Sequence, residues 1–376
     1  MPLGYNEALT SSFPRMSQDI LSQVHRRIGF ITLNRAAALN SLSLPMIRTM
    51  TEQLQAWRSD PAIDAVVVDS SSDKAFCAGG DIRFFHRAGS STPAGGSALL
   101  EDFFTEEYAL NHLVHHYPKP YVALMNGIVM GGGMGIAQAG AASRLRVVTE
   151  RTRMAMPEVN IGLFPDVGGS HFLSRARGQV GTYLALTGEA IGAADALFAG
   201  LADVCLPSAR LEELRAALRQ SHADDVHALI DRFAVSQDTL PAPGLLAVNE
   251  AAIERHFSLA TVGEIMASLG RDDSPFARSC LQAMGRRSPL MMCVALEQLR
   301  RGAGMHIADC LRMERSMMRC CFEQGEALEG IRALVIDKDN QPRWQPARLD
   351  EVTEAMIARF FEPAWPAHAH PLRDFV

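Results

Sequence analysis

The chain has 376 residues, 48% of them hydrophobic and 21% charged, with a formal net charge of −6. The length excludes a single small domain, and the apolar fraction provides for a sizeable core. The mild negative charge gives no general attraction to nucleic acid or to an anionic membrane, so any anionic ligand must be held by local groups. No run of 18 apolar residues reads as a membrane span. The opening "MPLGYNEALTSSFPRMSQDI" lacks a basic and then apolar stretch, so residues 1–20 are expected to be an extension rather than a secretory signal. Seven cysteines, an odd count without a CxxC pair, predict reduced thiols and a cytoplasmic protein. The twelve histidines do not fall at ligand spacing, so no metal is expected.

In chain order, "IGFITLN" (28–34) and "IDAVVVDSS" (63–71) predict strands, separated by an amphipathic helix from Leu44 to Trp57. A helix over 99–116 precedes "YVALMNG" (121–127), a strand whose continuous apolar character predicts burial on both faces. Further strands are expected at 144–150 and 153–158, and helices at 132–140, 167–175, 178–187 and 192–199. This alternation predicts an α/β core. Beyond Pro207 the apolar residues recur at helical spacing, for example in "LEELRAALRQ", "PLMMCVALEQLRRG" and "HIADCLRMERSMMRCCFEQ". The expected organisation is an extension (1–20), a core (21–206) and a mostly helical region (207–376), with "TLPAPG" (239–244) as a loop. No internal repeat is visible in the sequence.

Two glycine clusters share one design. "AFCAGGDIRFF" (75–85) opens a helix at Asp81, and "MNGIVMGGGMG" (125–135) opens one near Gly132. A helix entrance without side chains admits a ligand closely, and first-turn N–H groups have no partner within the helix. Two of them aimed at one point make an oxyanion hole, for which Gly80 and Gly132 are the candidates. Asp81 reads equally as a helix cap, and "GGGMG" as a tight packing surface. Ile136 breaks a GxGxxG fingerprint, which disfavours a dinucleotide.

"MPEVNIGLFPDVGGS" places two acids, Glu158 and Asp166, in an apolar segment. Its prolines and Gly162 exclude one continuous helix, so the chain must turn, and a turn can bring both acids to one pocket. Helix-start roles for both residues remain an alternative. Apolar surroundings raise a carboxyl's pKa, and two close carboxylates resist joint ionisation, which separates an acid from a base or nucleophile. With oxyanion donors upstream, this combination suggests acyl chemistry.

These motifs, together with "EEYALN" (106–111), "YLALTGEAIGAADALFAGLAD" and "EGIRALVIDKDNQPRWQP" (329–346), resemble the crotonase (enoyl-CoA hydratase/isomerase) superfamily, and within it the 3-hydroxyisobutyryl-CoA hydrolases. The resemblance covers nearly the whole chain. It implies stacked ββα turns with a helical C-terminal region, a coenzyme A thioester as substrate, and no separate cofactor. It places the thioester carbonyl between the N–H groups of Gly80 and Gly132, and Glu107, Glu158 and Asp166 around the acyl group. Ala78, Asp81 and Gly131 join as substrate-binding candidates, and Lys338 as a contact for the CoA phosphates. Hydratases of the superfamily usually carry a glutamate shortly after the glycine triplet, where this chain has Gly135. Many have glycine where this chain has Asp166. That exchange implies hydrolysis; a hydratase or isomerase, and a non-catalytic binding protein on the same fold, are the competing readings. Relatives range from monomers to hexamers, which leaves a homo-oligomer open.

Overall fold

The computed structural model describes residues 18–92, 96–141, 144–221, 226–235, 244–323 and 326–376. Residues 1–17 of the expected extension and 239–243 of the "TLPAPG" loop lie outside the described residues.

The chain opens with strands β1 (Ile20–His25) and β2 (Ile28–Leu33), followed by helix α1 (Leu44–Ser59). Ser43 starts α1 by accepting the Met46 N–H, and Pro45 stands in the first turn, where no N–H is needed. Then come β3 (Ala65–Ser70), β4 (Ala75–Cys77), α2 (Ile82–Ser90) and α3 (Ala98–His115). Next are β5 (Tyr121–Met125), β6 (Ile128–Met130), α4 (Gly132–Gly135), β7 (Arg144–Val148), β8 (Arg153–Ala155), α5 (Gly169–Phe172) and β9 (Val204–Cys205). One sheet has the order β1-β2-β3-β5-β7-β9 and a second has β4-β6-β8. Only the β1–β2 pair is antiparallel.

Three strands of the large sheet are thus each followed by a three-residue strand of the small one: β3 by β4, β5 by β6, β7 by β8. This is the expected stack of ββα turns, a repeat of backbone that has no counterpart in the residues. The expected strand 121–127 ends at Met125, and beyond Gly127, whose φ is +75, the chain enters β6. A Cβ at Gly127 would also collide with the Lys74 backbone. The expected helix 132–140 stops at Gly135, and the expected strand 153–158 stops at Ala155, where Pro157 turns the chain into a 3₁₀ turn over Glu158–Ile161.

The large sheet is covered on both faces. Alternate residues such as Val66, Val68, Ala123 and Met125 join α1 and α3 in one apolar cluster. Their neighbours Val67, Val122, Leu124 and Val147 meet the helices Leu211–Gln220 and Val226–Asp231 in a second. The burial of β5 on both sides is therefore as its apolar run predicted. The first cluster continues through the helices Pro289–Gly302 and Ile307–Glu323, so the helical half closes over the small sheet's end of the molecule.

Candidate active site

A cavity of about 70 Å³ lies where the small sheet meets α2, α3 and α4; its wall includes Gly80, Glu107, Gly132, Glu158 and Asp166. Four segments far apart in sequence supply it. The β4–α2 junction brings Ala78 to Gly80, and α3 brings Glu107. The β6–α4 junction brings Gly131 and Gly132, and the turns after β8 bring Glu158 and Asp166.

The glycines are required by closeness. A Cβ on Gly132 would lie 2.5 Å from Glu107 Oε1 and 3.4 Å from the Gly80 nitrogen, and one on Gly131 would lie 2.7 Å from Glu158 Oε1. Among the described residues neither the Gly80 nor the Gly132 N–H donates to a protein acceptor, so two unspent donors lie in the cavity wall. Behind Gly80, Phe84, Phe85, Phe103, Phe104 and Phe322 form an aromatic cluster with edge-to-face pairs at Phe84–Phe85, Phe85–Phe103, Phe103–Phe104 and Phe85–Phe322.

Three carboxyls share this dry space. Glu107 is 2% exposed, and Glu158 and Asp166 are 6% exposed each. Glu107 Oε1 and Glu158 Oε2 have no hydrogen-bond partner among the described residues. Burial is the main force raising all three above the ordinary carboxyl range, and the charge of Asp166 raises both glutamates further. Asp166 is pushed up to about 7, against the Tyr108 hydroxyl, which donates to Oδ2 at 2.7 Å and favours its anion. Three such groups cannot all ionise, so the least costly state near neutrality keeps acid and base forms side by side. Cys77, the cavity's neighbour, is no nucleophile: burial pushes its thiol up to about 12.

The Asp166 loop is strained. Val167, a β-branched residue, has φ +53, a conformation of order 1–3 kcal/mol above the relaxed one. Its side chain fills the space above Gly135, where a Cβ would lie 2.6 Å from Val167 Cβ and 2.7 Å from Asn111 Nδ2.

An enoyl-CoA hydratase/isomerase family model matches residues 28–361. The chain belongs to that family. It is 42% identical over 337 residues to "3-hydroxyisobutyryl-CoA hydrolase, mitochondrial" of Xenopus laevis, covering 89% of this chain and 86% of that protein. The Gallus gallus protein of the same name is 39% identical over 350 residues, covering 92% and 89%. Among solved structures it resembles a carnitinyl-CoA dehydratase from Mycobacterium thermoresistibile (TM-score 0.86, 38% identity, 93% of this chain and 98% of that one). It also resembles an enoyl-CoA hydratase from Rhodobacter sphaeroides 2.4.1 (TM-score 0.82, 40% identity, 92% and 98%).

Within this enoyl-CoA hydratase/isomerase scaffold, Ala78, Gly80, Glu107, Gly131, Gly132, Glu158 and Asp166 come together in the cavity wall. Asp81 does not: its carboxylate caps α2 at the Phe84 N–H (3.1 Å) and pairs with Arg35 (2.8 Å), as the cap reading allowed. Lys338 also lies apart, exposed on the turn after a π-helical stretch over Arg332–Ile336, with φ +58. The sequence reading missed Tyr108, Asn111, Gln298 and Glu314. Tyr108 and Asn111 had a usable signal, since Asn111 stands one helical turn beyond Glu107. Gln298 and Glu314 had none, being polar residues inside long helices with no motif around them. Among the described residues no group of three or more His, Cys, Asp or Glu could hold a metal, and no helix is long and apolar enough to cross a membrane.

Proposed function

We propose that the protein hydrolyses a short-chain 3-hydroxyacyl-CoA thioester, namely 3-hydroxyisobutyryl-CoA to 3-hydroxyisobutyrate and CoA, a step of valine catabolism. The observation that carries this reading is the pair of unspent N–H donors at Gly80 and Gly132, set against three buried carboxyls in a cavity sized for a short acyl group. The names of the curated relatives support the same substrate.

In this mechanism the thioester oxygen lies between the two N–H groups, which stabilise it as it becomes an oxyanion. Glu158 attacks the carbonyl carbon to give a mixed anhydride, or takes a proton from the water that attacks instead. Asp166, in the state where it carries the proton that the acids share and Glu158 is the anion, gives that proton to the departing CoA sulfur as the C–S bond breaks. In the anhydride route the Asp166 carboxylate then takes a proton from the water that frees Glu158, so the cycle closes with no net change to the enzyme. Glu107, with an orphan oxygen in the acyl end of the cavity, accepts the substrate's 3-hydroxyl. Ala78 and Gly131 supply main chain to the substrate, Asp81 acts by fixing the Gly80 loop, and Lys338 contacts the CoA phosphates. The scheme needs no cofactor beyond the CoA of the substrate.

Thiol release from 3-hydroxyisobutyryl-, 3-hydroxypropionyl-, 3-hydroxybutyryl-, isobutyryl- and crotonyl-CoA tests the reading. Release confined to the 3-hydroxy substrates, and lost in Glu158→Ala and Asp166→Asn, is expected. Loss of the crotonyl absorbance without thiol release would instead make it a hydratase, the activity for which one structural neighbour is named. Oxygen-18 transfer from the Glu158 side chain in a single turnover separates nucleophile from base. The seven free thiols, six of them buried, fit a reducing compartment. We assign the cytoplasm, which fractionation would test against the mitochondrial names of the relatives. Gel filtration with light scattering would test for a homo-oligomer.

A further inference from the structure

The loop that carries Asp166 is held by the helical half of the chain. Glu314, fully buried, accepts the Gly168 N–H on Oε2 and the Ser170 N–H on Oε1, both at 2.8 Å. Gln298, also fully buried, donates from Nε2 to the Pro165 carbonyl (2.6 Å) and to Ser170 Oγ (2.8 Å). The strained loop is therefore bonded on both sides of Asp166.

Packing does not require a carboxylate there. A carboxyl taken out of water without a counter-ion is costly, and Arg315 beside it is paired with Glu101 instead. The titratable groups facing Asp166 are Glu107 and Tyr108 from α3, Glu158 from its own segment, and Glu314 and Cys321 from Ile307–Glu323. None of them is a cation. Burial pushes Glu314 up to about 8, yet both its oxygens receive donors, so a proton on either would face no acceptor. That donor set makes the anion its working state.

We propose that Glu314 is a positioning residue for the hydrolysis: through Gly168 and Ser170 it fixes the Asp166 carboxyl at the cavity, and as a buried like charge bonded to the same loop it opposes ionisation of that carboxyl. Tyr108 acts on the same proton in the opposite sense, because its hydroxyl hydrogen bond favours the Asp166 anion. The inference rests on the functional reading above.

The test is the pH profile of kcat for thiol release in wild type, Glu314→Gln and Tyr108→Phe. In Glu314→Gln the alkaline limb is expected to move down by about one pH unit, a tenfold loss at pH 8, with KM changed less than kcat. In Tyr108→Phe the limb is expected to move up. A folded Glu314→Gln protein with an unmoved limb overturns the proposal, even if its activity is lower, since a purely structural role predicts that result. If Glu314→Gln does not fold, Ser170→Ala keeps both N–H donors but removes the Ser170 hydroxyl, whose hydrogen bond also favours the Glu314 anion, and is expected to move the limb the same way by less; no movement there overturns the proposal too. The Asp166 carboxyl carbon-13 titration, assigned with Asp166→Asn, reads the same shift without substrate. A wild type that releases no thiol while this titration still moves would sink the functional reading and leave the Glu314–Asp166 coupling standing.

Discussion

Gly132→Ala should remove most of the activity while leaving the fold in place. The added Cβ would sit 2.5 Å from Glu107 Oε1, 3.3 Å from Leu42 Cδ1 and 3.4 Å from the Gly80 nitrogen. Glu107 is only 2% exposed, so its carboxyl has no route into water and the strain must move α4 or the glutamate. Overpacking of this kind costs about 1–3 kcal/mol. With an unfolding entropy of roughly 2.1 cal/mol/K per residue over 376 residues, that lowers Tm by only about 1–4 °C. Catalysis suffers more, because a displaced α4 takes one oxyanion donor out of line, worth about 2.7–4 kcal/mol, or roughly 10²–10³ in kcat. KM should change less, since the donor matters most when the oxygen is charged. Thiol release and thermal melting read both numbers. Gly304→Ala is the control, because a Cβ there meets nothing within 4 Å. A folded Gly132→Ala enzyme with kcat within about threefold of wild type would refute the oxyanion role of this residue.

Asp166→Asn is expected to lower kcat by roughly 10²–10⁴ with CoA as leaving group and by less with a more acidic thiol, which needs less proton donation; equal losses with both would remove Asp166 as the acid. Stability should fall as pH rises from about 6.5 to 8. Over that range the folded chain retains protons among Asp166, Glu107 and Glu158, raised by burial, that the unfolded chain has already released. Below the ordinary histidine value of 6.5 the trend is opposed by His115 and His171, pushed down to about 4 by burial, because there the unfolded chain is the one that gains protons. Urea midpoints across this range would show the fall, at most about 1.4 kcal/mol per pH unit for each group, and a flat curve would mean the carboxyls are ionised in the fold. Gly135→Glu is expected to destabilise the protein and to bring no crotonyl-CoA hydration, because the new side chain would start 2.6 Å from Val167 Cβ; hydration in a stable variant would contradict the packing argument.

The long strands and helices were legible because each has enough residues to show a period. Ile28–Leu33, Ala65–Ser70 and Tyr121–Met125 announce themselves by apolar runs, and Pro289–Gly302 by its stripe. The three-residue strands Ala75–Cys77 and Ile128–Met130 are too short to alternate, so two of the three strands of the small sheet, those that lead into the glycine junctions, were invisible. Glu158, Asp166, Gly80 and Gly132 were readable because their chemistry is local: an acid in apolar company, and glycines where a strand becomes a helix. Glu314 was unreadable because its partners stand 146 and 144 residues away, and a single glutamate within "LRMERSMM" looks like any exposed helical residue.

The same distinction bears on why likeness of fold is a weak guide to reaction here. Relatives of similar identity carry hydrolase, hydratase and dehydratase names, so the shared fold is compatible with each. In the proposed mechanism the reaction depends on which acids share the cavity with Glu158. In this chain the place beside Gly135 is occupied by Val167 and Asn111, which leaves no volume for a second carboxylate on α4. Val167 stands there because its backbone is forced to φ +53, and the residue before it in that turn is Asp166. The strained turn therefore does two things at once: it fills the α4 position and delivers an acid from the opposite wall. Gln298 and Glu314, from helices outside the ββα stack, hold that turn. On this reasoning the helical half takes part in selecting the reaction, by fixing which wall of the cavity the acid comes from.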